Sequence, residues 1–442
     1  MAWKKTKLKD LGWLRSAGVN KLSEANQKEV RLLNYMDVYR NQKISNEIDF
    51  QIVTAKDSEI RNANLEVGDI LFTPSSEKPT DIGHAGIVIE ELPNTVYSYH
   101  LVRFRPDEPN KFNPHFLVYA LNSFECEKHF ITRATGTTRY TLSKSDFKSL
   151  EFEYPENPAE QTAIATLLTK VDEAIAATQN SIKAAYKLKK ALMQNLLTGK
   201  LKPDGSWRSE VEFYEDEKFG KVPKGWEVAR VKDYGFVQTG KTPPTAEPNV
   251  FSETENENRF PFITPGDLGV SKYISVSERY VTAKGIGYSF KIPANSVCVV
   301  CIGSTIGKIG ITKIESCTNQ QINTLIANDN NSGEFFYYMM EYRKPHFKEI
   351  AGINATPQIN KSGFEKYKLL RPTLKVEQEE IVLKIKSTDE EFVAKQTKIQ
   401  TLQRLKKSLM QNLLTGKVRL PQEFIGKFEE AVEEVNKTVT AQ

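Results

Sequence analysis

The sequence predicts an α+β chain organised as an internal pseudo-twofold repeat: two mixed α/β domains separated by two long helices packed as an antiparallel coiled coil. Three observations predict it. Residues 188–200 read LKKALMQNLLTGK and residues 405–417 read LKKSLMQNLLTGK, differing only at Ala191 and Ser408. The stretch before each carries an apolar stripe of helical period. The rest of the chain carries short apolar runs punctuated by Gly, Pro, Asn and Asp, the texture of strands and turns.

The repeat holds at the same offset well beyond the near-identical segment. Glu160-Gln161 matches Glu377-Gln378, Ile164 matches Ile381, Leu168 matches Ile385, Asp172-Glu173 matches Asp389-Glu390, and Ile182 matches Ile399. Further upstream, Ala134 matches Ala351, Phe147 matches Phe364, and Pro155 matches Pro372. Self-similarity of this kind means one module used twice.

The first domain is expected over 1–155. Asp69 to Phe72 and Ala85 to Ile89 read as strands, and Phe116 to Phe124 as a helix. The first long helix and the start of a linker follow over 156–205. Ile164, Leu168, Val171, Ile175, Ile182, Leu188 and Leu192, with Thr178, Ala185 and Leu196 filling the gaps, make its stripe, at spacings of mostly four and three. Pro158 suits its start and Gly199 its stop. Residues 201–225 are polar and rich in turn formers, as a linker would be. The second domain is expected over 206–373, with strands at Ser296 to Cys301 and Ile309 to Thr312 and a helix at Glu334 to Tyr342. The second long helix is expected over 374–418. Its stripe is Ile381, Ile385, Phe392, Ile399, Leu402, Leu405 and Leu409, and it stops at Gly416. Residues 419–442 form an acidic tail, read as one amphipathic helix.

A helix of about 40 residues is roughly 60 Å long. A narrow apolar stripe of that length must be buried, and the economical partner is the other copy.

Charge and composition bound the function. The 442 residues carry a net charge of +5. The pI is near 8.7, which permits nucleic-acid binding without requiring it. No run of about twenty apolar residues offers a membrane span, and the start MAWKKTKLKD lacks the apolar core of a secretory signal. Four cysteines, Cys126, Cys298, Cys301 and Cys317, are too few for a disulfide scaffold. They fit a reducing, cytoplasmic location.

The order of these features resembles the specificity subunits of type I restriction–modification systems. The resemblance rests on two copies of a variable region followed by a similar one. It rests too on tails that open with Glu160-Gln161 and Glu377-Gln378 and close on Leu196 to Lys200 and Leu413 to Lys417. Asn113-Pro114-His115-Phe116, Gly307-Lys308-Ile309-Gly310 and Asn319-Gln320-Gln321 add to it. It covers almost the whole chain apart from the tail. The resemblance implies that each front part is a target recognition domain reading one half of a split site in double-stranded DNA. It implies that the helices act as a ruler and dock two methylation subunits, which carry S-adenosylmethionine and methylate adenine N6. Restriction subunits would add ATP- and Mg2+-dependent translocation and cleavage. On this reading the chain holds no cofactor and no catalytic site. The geometry agrees: major grooves on one face of DNA recur about every 34–36 Å, within reach of a strut of roughly 60 Å. Because the front parts differ, the target should be asymmetric.

Base edges are read by polar, planar and basic side chains. Candidates fall in three pairs of loops. The first pair is Thr135, Thr137, Thr138, Arg139 and Tyr140 in one domain and Asn354, Thr356, Gln358 and Asn360 in the other. The second is Lys78, Thr80 and His84 with Ser304, Thr305 and Lys308. The third sets Thr239, Lys241 and Thr242 against Arg15-Ser16-Ala17-Gly18. Arg139 suits guanine, Asn354 or Gln358 adenine, and Lys241 and Lys308 phosphate. An ordinary solvated turn is the competing reading for each.

Other apparent chemistry is set aside. Cys298 and Cys301 have metal or redox spacing, but in a strand residues three apart face opposite sides. Gly303 to Lys308 is one residue short of a phosphate loop and continues with Ile309 instead of Ser or Thr. Asn113-Pro114 reads as a helix cap and first turn rather than part of a methyltransferase motif. His84, His100, His115, His129 and His346 show no metal-ligand spacing. Two rival functions stay open: a coiled-coil scaffold that does not bind DNA, and a self-contained DNA methyltransferase.

Overall fold

The computed structural model describes residues 3–108, 111–254, 258–352 and 357–429. It divides into two units, Met1–Gln179 with Thr397–Gln442, and Asn180–Gln396. The long helices are α3, Pro158–Leu197 (40 residues), and α5, Lys375–Leu413 (39 residues). Each contributes its first half to one unit and its second half to the other.

Each unit holds a five-stranded sheet. In the first the strands are β1 (Gly12–Arg15), β2 (Lys43–Ile44), β3 (Ile70–Phe72), β4 (Ala85–Val88) and β5 (Val102–Pro106), in the order β1-β5-β3-β4-β2. In the second they are β6 (Gly235–Thr239), β7 (Tyr273–Ile274), β8 (Val297–Val300), β9 (Ile309–Thr312) and β10 (Ile322–Ala327), in the order β6-β10-β8-β9-β7. The sense matches as well: three antiparallel pairings, then a parallel pairing at the β2 or β7 edge.

The central strands are buried on both faces, which explains their unbroken apolar runs. Ile70 and Phe72 join one core while Leu71 joins another. Likewise Val297, Val299 and Cys301 face one core, and Cys298 and Val300 face the other. Cys298 and Cys301 thus lie on opposite sides of the strand, as its period of two predicts.

Four further helices are named: α1 (Tyr35–Arg40), α2 (Pro114–Leu121), α4 (Gly333–Ile350) and α6 (Gln422–Gly426). Asn113 caps α2 by accepting from the Phe116 N–H at 3.1 Å, with Pro114 in the first turn. The helix expected at Glu334–Tyr342 extends to Ile350 with Pro345 inside it, because Phe347 is fully buried and holds the last turn on the core. The stretch read as linker contains a hairpin, Phe213–Asp216 with Gly220–Pro223, and its Val222 is fully buried. Of the expected tail helix, α6 packs Ile425 against Ala159 and Ala163, and residues 430–442 lie outside the described residues.

The repeated motifs close each unit. Gln161 donates from Nε2 to the Pro155 carbonyl at 3.0 Å and accepts at Oε1 from the Asn113 N–H at 2.8 Å. Gln378 does the same with the Pro372 carbonyl at 2.9 Å and the Ser332 N–H at 2.9 Å. Glu160 binds the Arg419 guanidinium through both oxygens at 2.5 Å and the Trp3 indole N–H at 3.4 Å. Glu377 binds Arg208 at 2.5 Å and the Trp226 indole N–H at 2.9 Å. Gly199 and Gly416 follow the helix ends at φ of +68° and +66°, the left-handed stop that favours glycine.

The helices run antiparallel within each unit. In the first, Lys406 meets Asp172 at 2.7 Å. In the second, Lys189 meets Asp389, and Lys395 meets Ser181. The seam follows a strict four-three spacing: Val171, Ile175, Thr178, Ile182, Ala185, Lys189, Leu192 and Leu196 on α3 are all buried or half-buried. On α5 the seam is Ile381, Ile385, Thr388, Phe392, Lys395, Ile399, Leu402, Lys406, Leu409 and Leu413. Ile164 and Leu168, earlier on α3, are buried in the first domain's core. Leu188 and Leu405 are corrected: they are 51% and 44% exposed. The spacing puts the next residue, Lys189 or Lys406, into the seam, where its aspartate neutralises it.

Candidate nucleic-acid interface

Two of the three loop pairs occupy equivalent places in the two sheets. One loop of the second pair joins β3 to β4 and the other joins β8 to β9. The loops of the third pair follow β1 and β6. Those of the first pair lie at the same repeat position, before the last strand of each domain.

In the first unit two of these loops are joined. Tyr140–Thr141 pairs antiparallel with Ser75–Ser76, and the Arg139 guanidinium donates to Ser75 Oγ at 3.1 Å. Gly136 has φ +141°, and a Cβ there would stand 2.0 Å from the Arg139 carbonyl oxygen. Only glycine closes this turn and presents Thr137, Thr138 and Arg139 to solvent. Lys78, Thr80 and Thr135 are also exposed, and Tyr140 is half-buried. His84 is half-buried and tied inward. Its Nε2 lies 2.8 Å from Asp81 Oδ1, and its backbone N–H donates to Thr73 Oγ1 at 3.0 Å. Arg15 turns away to Asn62 Oδ1 at 2.6 Å.

The sequence reading missed the floor of this site, α1. Tyr35 donates to the Ser75 carbonyl at 2.8 Å, and Tyr39 donates to Asp81 Oδ2 at 3.1 Å. With Met36, Lys78 and Arg139 they line an open cleft of about 380 Å³. The available signal was two tyrosines four apart in a short segment, YMDVYR, with Asp37 accepting from the Asn34 N–H at the helix start.

In the second unit all three loops converge. The Gly303 N–H donates to the Pro357 carbonyl at 2.9 Å, and the Ile359 N–H to the Cys301 carbonyl at 2.8 Å. The Lys241 N–H donates to the Thr318 carbonyl at 2.9 Å, Thr242 bonds Gln320, and Thr239 donates to Asn323 Oδ1 at 2.7 Å. The Cys301 N–H closes the ring on the Gln321 carbonyl at 2.8 Å. Lys241, Ser304, Gln320 and Gln358 face solvent, with Thr305 half-buried. Lys308 is half-buried and reaches the Pro265 carbonyl at 3.2 Å. Asn360 caps the helix Lys361–Lys366 through the Gly363 N–H at 2.8 Å, a structural duty. Asn354 and Thr356 lie outside the described residues.

All four cysteines are free and buried. Burial pushes the thiols of Cys126, Cys298 and Cys301 up to about 12 and that of Cys317 up to about 11. Thiols so displaced are poor nucleophiles and ligands at neutral pH.

The model of the type I restriction modification DNA specificity domain matches the chain twice, over residues 2–185 and 223–404. Each match runs from the first strand of a domain into its long helix. The chain belongs to this family. Its two recognition domains are therefore two copies of one DNA specificity domain. The chain is 25% identical to the type I restriction enzyme MjaX specificity subunit of Methanocaldococcus jannaschii, over 83% of this chain and 82% of that one. It is 31% identical to the HindI specificity subunit of Haemophilus influenzae, over 45% of this chain and 42% of that one. The fold is shared with the type I S subunit of M. genitalium at a TM-score of 0.57, with 16% identity, covering 94% and 96% of the two chains. Among the described residues no helix is long and apolar enough to cross a membrane.

Proposed function

We propose that the two domains read the two halves of a bipartite, asymmetric site in double-stranded DNA, for a complex whose catalysis lies on other subunits. One observation carries this reading. The two sheets share strand order and sense, yet their edges present different chemistry at matching loops. Arg139, Lys78 and four threonines stand on one; Gln358, Gln320, Ser304 and Lys241 stand on the other. A common frame with unlike polar edges reads two unlike half-sites.

The paired helices serve as the dock for two methylation subunits and, where present, restriction subunits. Leu188 and Leu405, exposed at corresponding places, supply apolar surface for that contact. S-adenosylmethionine, ATP and Mg2+ reside on those partners, and the complex works in the cytoplasm. The test is methylome sequencing of cells expressing the chain with its methylation subunit. A split N6-methyladenine motif that disappears when this gene is deleted is the expected result. Methyl transfer by the isolated chain would instead make it an enzyme. An unchanged methylome with a soluble partner would leave a scaffold that does not bind DNA.

A further inference from the structure

Each unit contains the same three-residue cluster where its recognition domain meets the helices. In the first unit, Tyr119 on α2 donates its hydroxyl to Asp172 Oδ2 on α3 at 2.7 Å. Lys406 on α5 takes the other oxygen of Asp172 at 2.7 Å. In the second unit, Tyr338 on α4 donates to Asp389 Oδ2 on α5 at 2.7 Å, and Lys189 on α3 takes the other oxygen. The tyrosine comes from the domain, the aspartate from that repeat's own helix, and the lysine from the other repeat's helix. Both tyrosines are 1% exposed, and burial raises their pKa values, so the hydroxyls stay proton donors.

Apolar side chains pack in the same cores: Ile164 and Leu168 in the first unit, Ile381 and Ile385 in the second. Apolar contacts hold surfaces together without fixing their rotation. A hydrogen bond from a stiff aromatic side chain to a carboxylate held by a lysine does fix it. The second cluster is the more constrained. Lys272, beside β7, donates to the Tyr338 hydroxyl at 2.9 Å and lies 3.6 Å from Glu334. In the first cluster the further hydrogen-bond partner of the Tyr119 hydroxyl is a neutral one, Thr169 at 3.3 Å.

We propose that Tyr119–Asp172–Lys406 and Tyr338–Asp389–Lys189 are positioning latches that set the rotation of each recognition domain on its helix pair. They thereby govern how strictly the protein enforces the spacing between its two half-targets. This rests on the bipartite DNA reading proposed above. A domain free to rock would accept half-targets displaced along the duplex.

The test uses the full chain copurified with its methylation subunit. The substrates are duplexes bearing the target found by methylome sequencing, with the native spacer and with the spacer one base pair longer or shorter. Tyr119→Phe and Tyr338→Phe keep the ring and remove the donor; Asp389→Asn is the second variant of the tighter latch. Initial methylation rates are measured on each duplex beside the thermal midpoint. The expected result is a fall of roughly fivefold in preference for the native spacer, the factor one net hydrogen bond supplies. Tyr338→Phe should exceed Tyr119→Phe, because Lys272 loses that acceptor as well and keeps Glu334 alone of the two. An unchanged preference in every variant overturns the latch, as does a proportional loss on all three duplexes that follows the thermal midpoint. A wild-type complex that methylates none of the duplexes overturns the DNA-reading function itself, a result separate from either.

Discussion

Leu197 belongs to the first repeat by sequence, yet it is fully buried in the core of the second domain beside Trp226 and Phe335. Leu197→Ala should therefore destabilise the second domain and spare the first. The substitution removes about three carbons, worth roughly 0.8 kcal/mol each in transfer, and a residual cavity adds to that. A total of about 3 kcal/mol follows, and it multiplies the opening equilibrium by on the order of a hundred. Amide hydrogen exchange resolved by peptide mass is the assay. Slow amides of β8, β10 and α4 should exchange about a hundredfold faster, while those of β3, β5 and α2 keep their wild-type rates. Leu414→Ala, 3% exposed in the core of the first domain, should give the reverse pattern. If Leu197→Ala loosened the first domain instead, or both equally, the exchange of helix ends between repeats would be refuted.

Four further outcomes are expected. Arg139→Ala should weaken discrimination at one half-site by about 1–3 kcal/mol, and Gln358→Ala at the other. Equal weakening on random duplexes, by competition binding, would make them phosphate contacts instead. Gly199→Ala should lower the thermal midpoint of the second unit. The left-handed backbone alone costs about 1–2 kcal/mol, and the new Cβ would stand 2.2 Å from Pro223 Cγ. Mass spectrometry after iodoacetamide at pH 8 should find all four cysteines unlabelled in the native chain and labelled after denaturation, since burial raises every thiol. Arg419→Ala should destabilise the first unit by about 1–3 kcal/mol, read by thermal melting, since it strips the charged partner from Glu160, which is 1% exposed.

Much of this architecture is written in local pattern. The apolar stripes announce α3 and α5 because a helix of that length has one way to hide them, and Gly199 and Gly416 mark both ends. The loops were also findable, since Gly303 interrupts an apolar run and Gly136 stands in a polar, threonine-rich one. The cleft floor was not. Tyr35 and Tyr39 reach Ser75 and Asp81 across some forty residues of chain, and no local period reports such a contact. Residue type alone misplaces Leu188 and Leu405. They resemble seam residues by type, but the strict four-three spacing carries the seam through the neighbouring lysines. The polar texture of residues 201–225 is real, and Val222 and Arg208 within that stretch tie it to the second core and to Glu377.

The near-identity of residues 188–200 and 405–417 has a packing cause. Each segment is a plug, and each fits a socket built by the opposite repeat. Leu196 and Leu197 enter the second domain, where Trp226, Glu377 and Tyr338 form the socket. Leu413 and Leu414 enter the first, where Trp3, Glu160 and Tyr119 do. A change in one plug must be met by a change in the other repeat's socket. Two like sockets keep two like plugs in use, because either plug then fits either place. Arg139 and Gln358 at the sheet edges are exposed and stand outside both cores, so the chemistry there can diverge without cost to the frame. Sameness at the junctions and difference at Arg139 and Gln358 therefore follow from one constraint, the exchange of helix ends between the repeats.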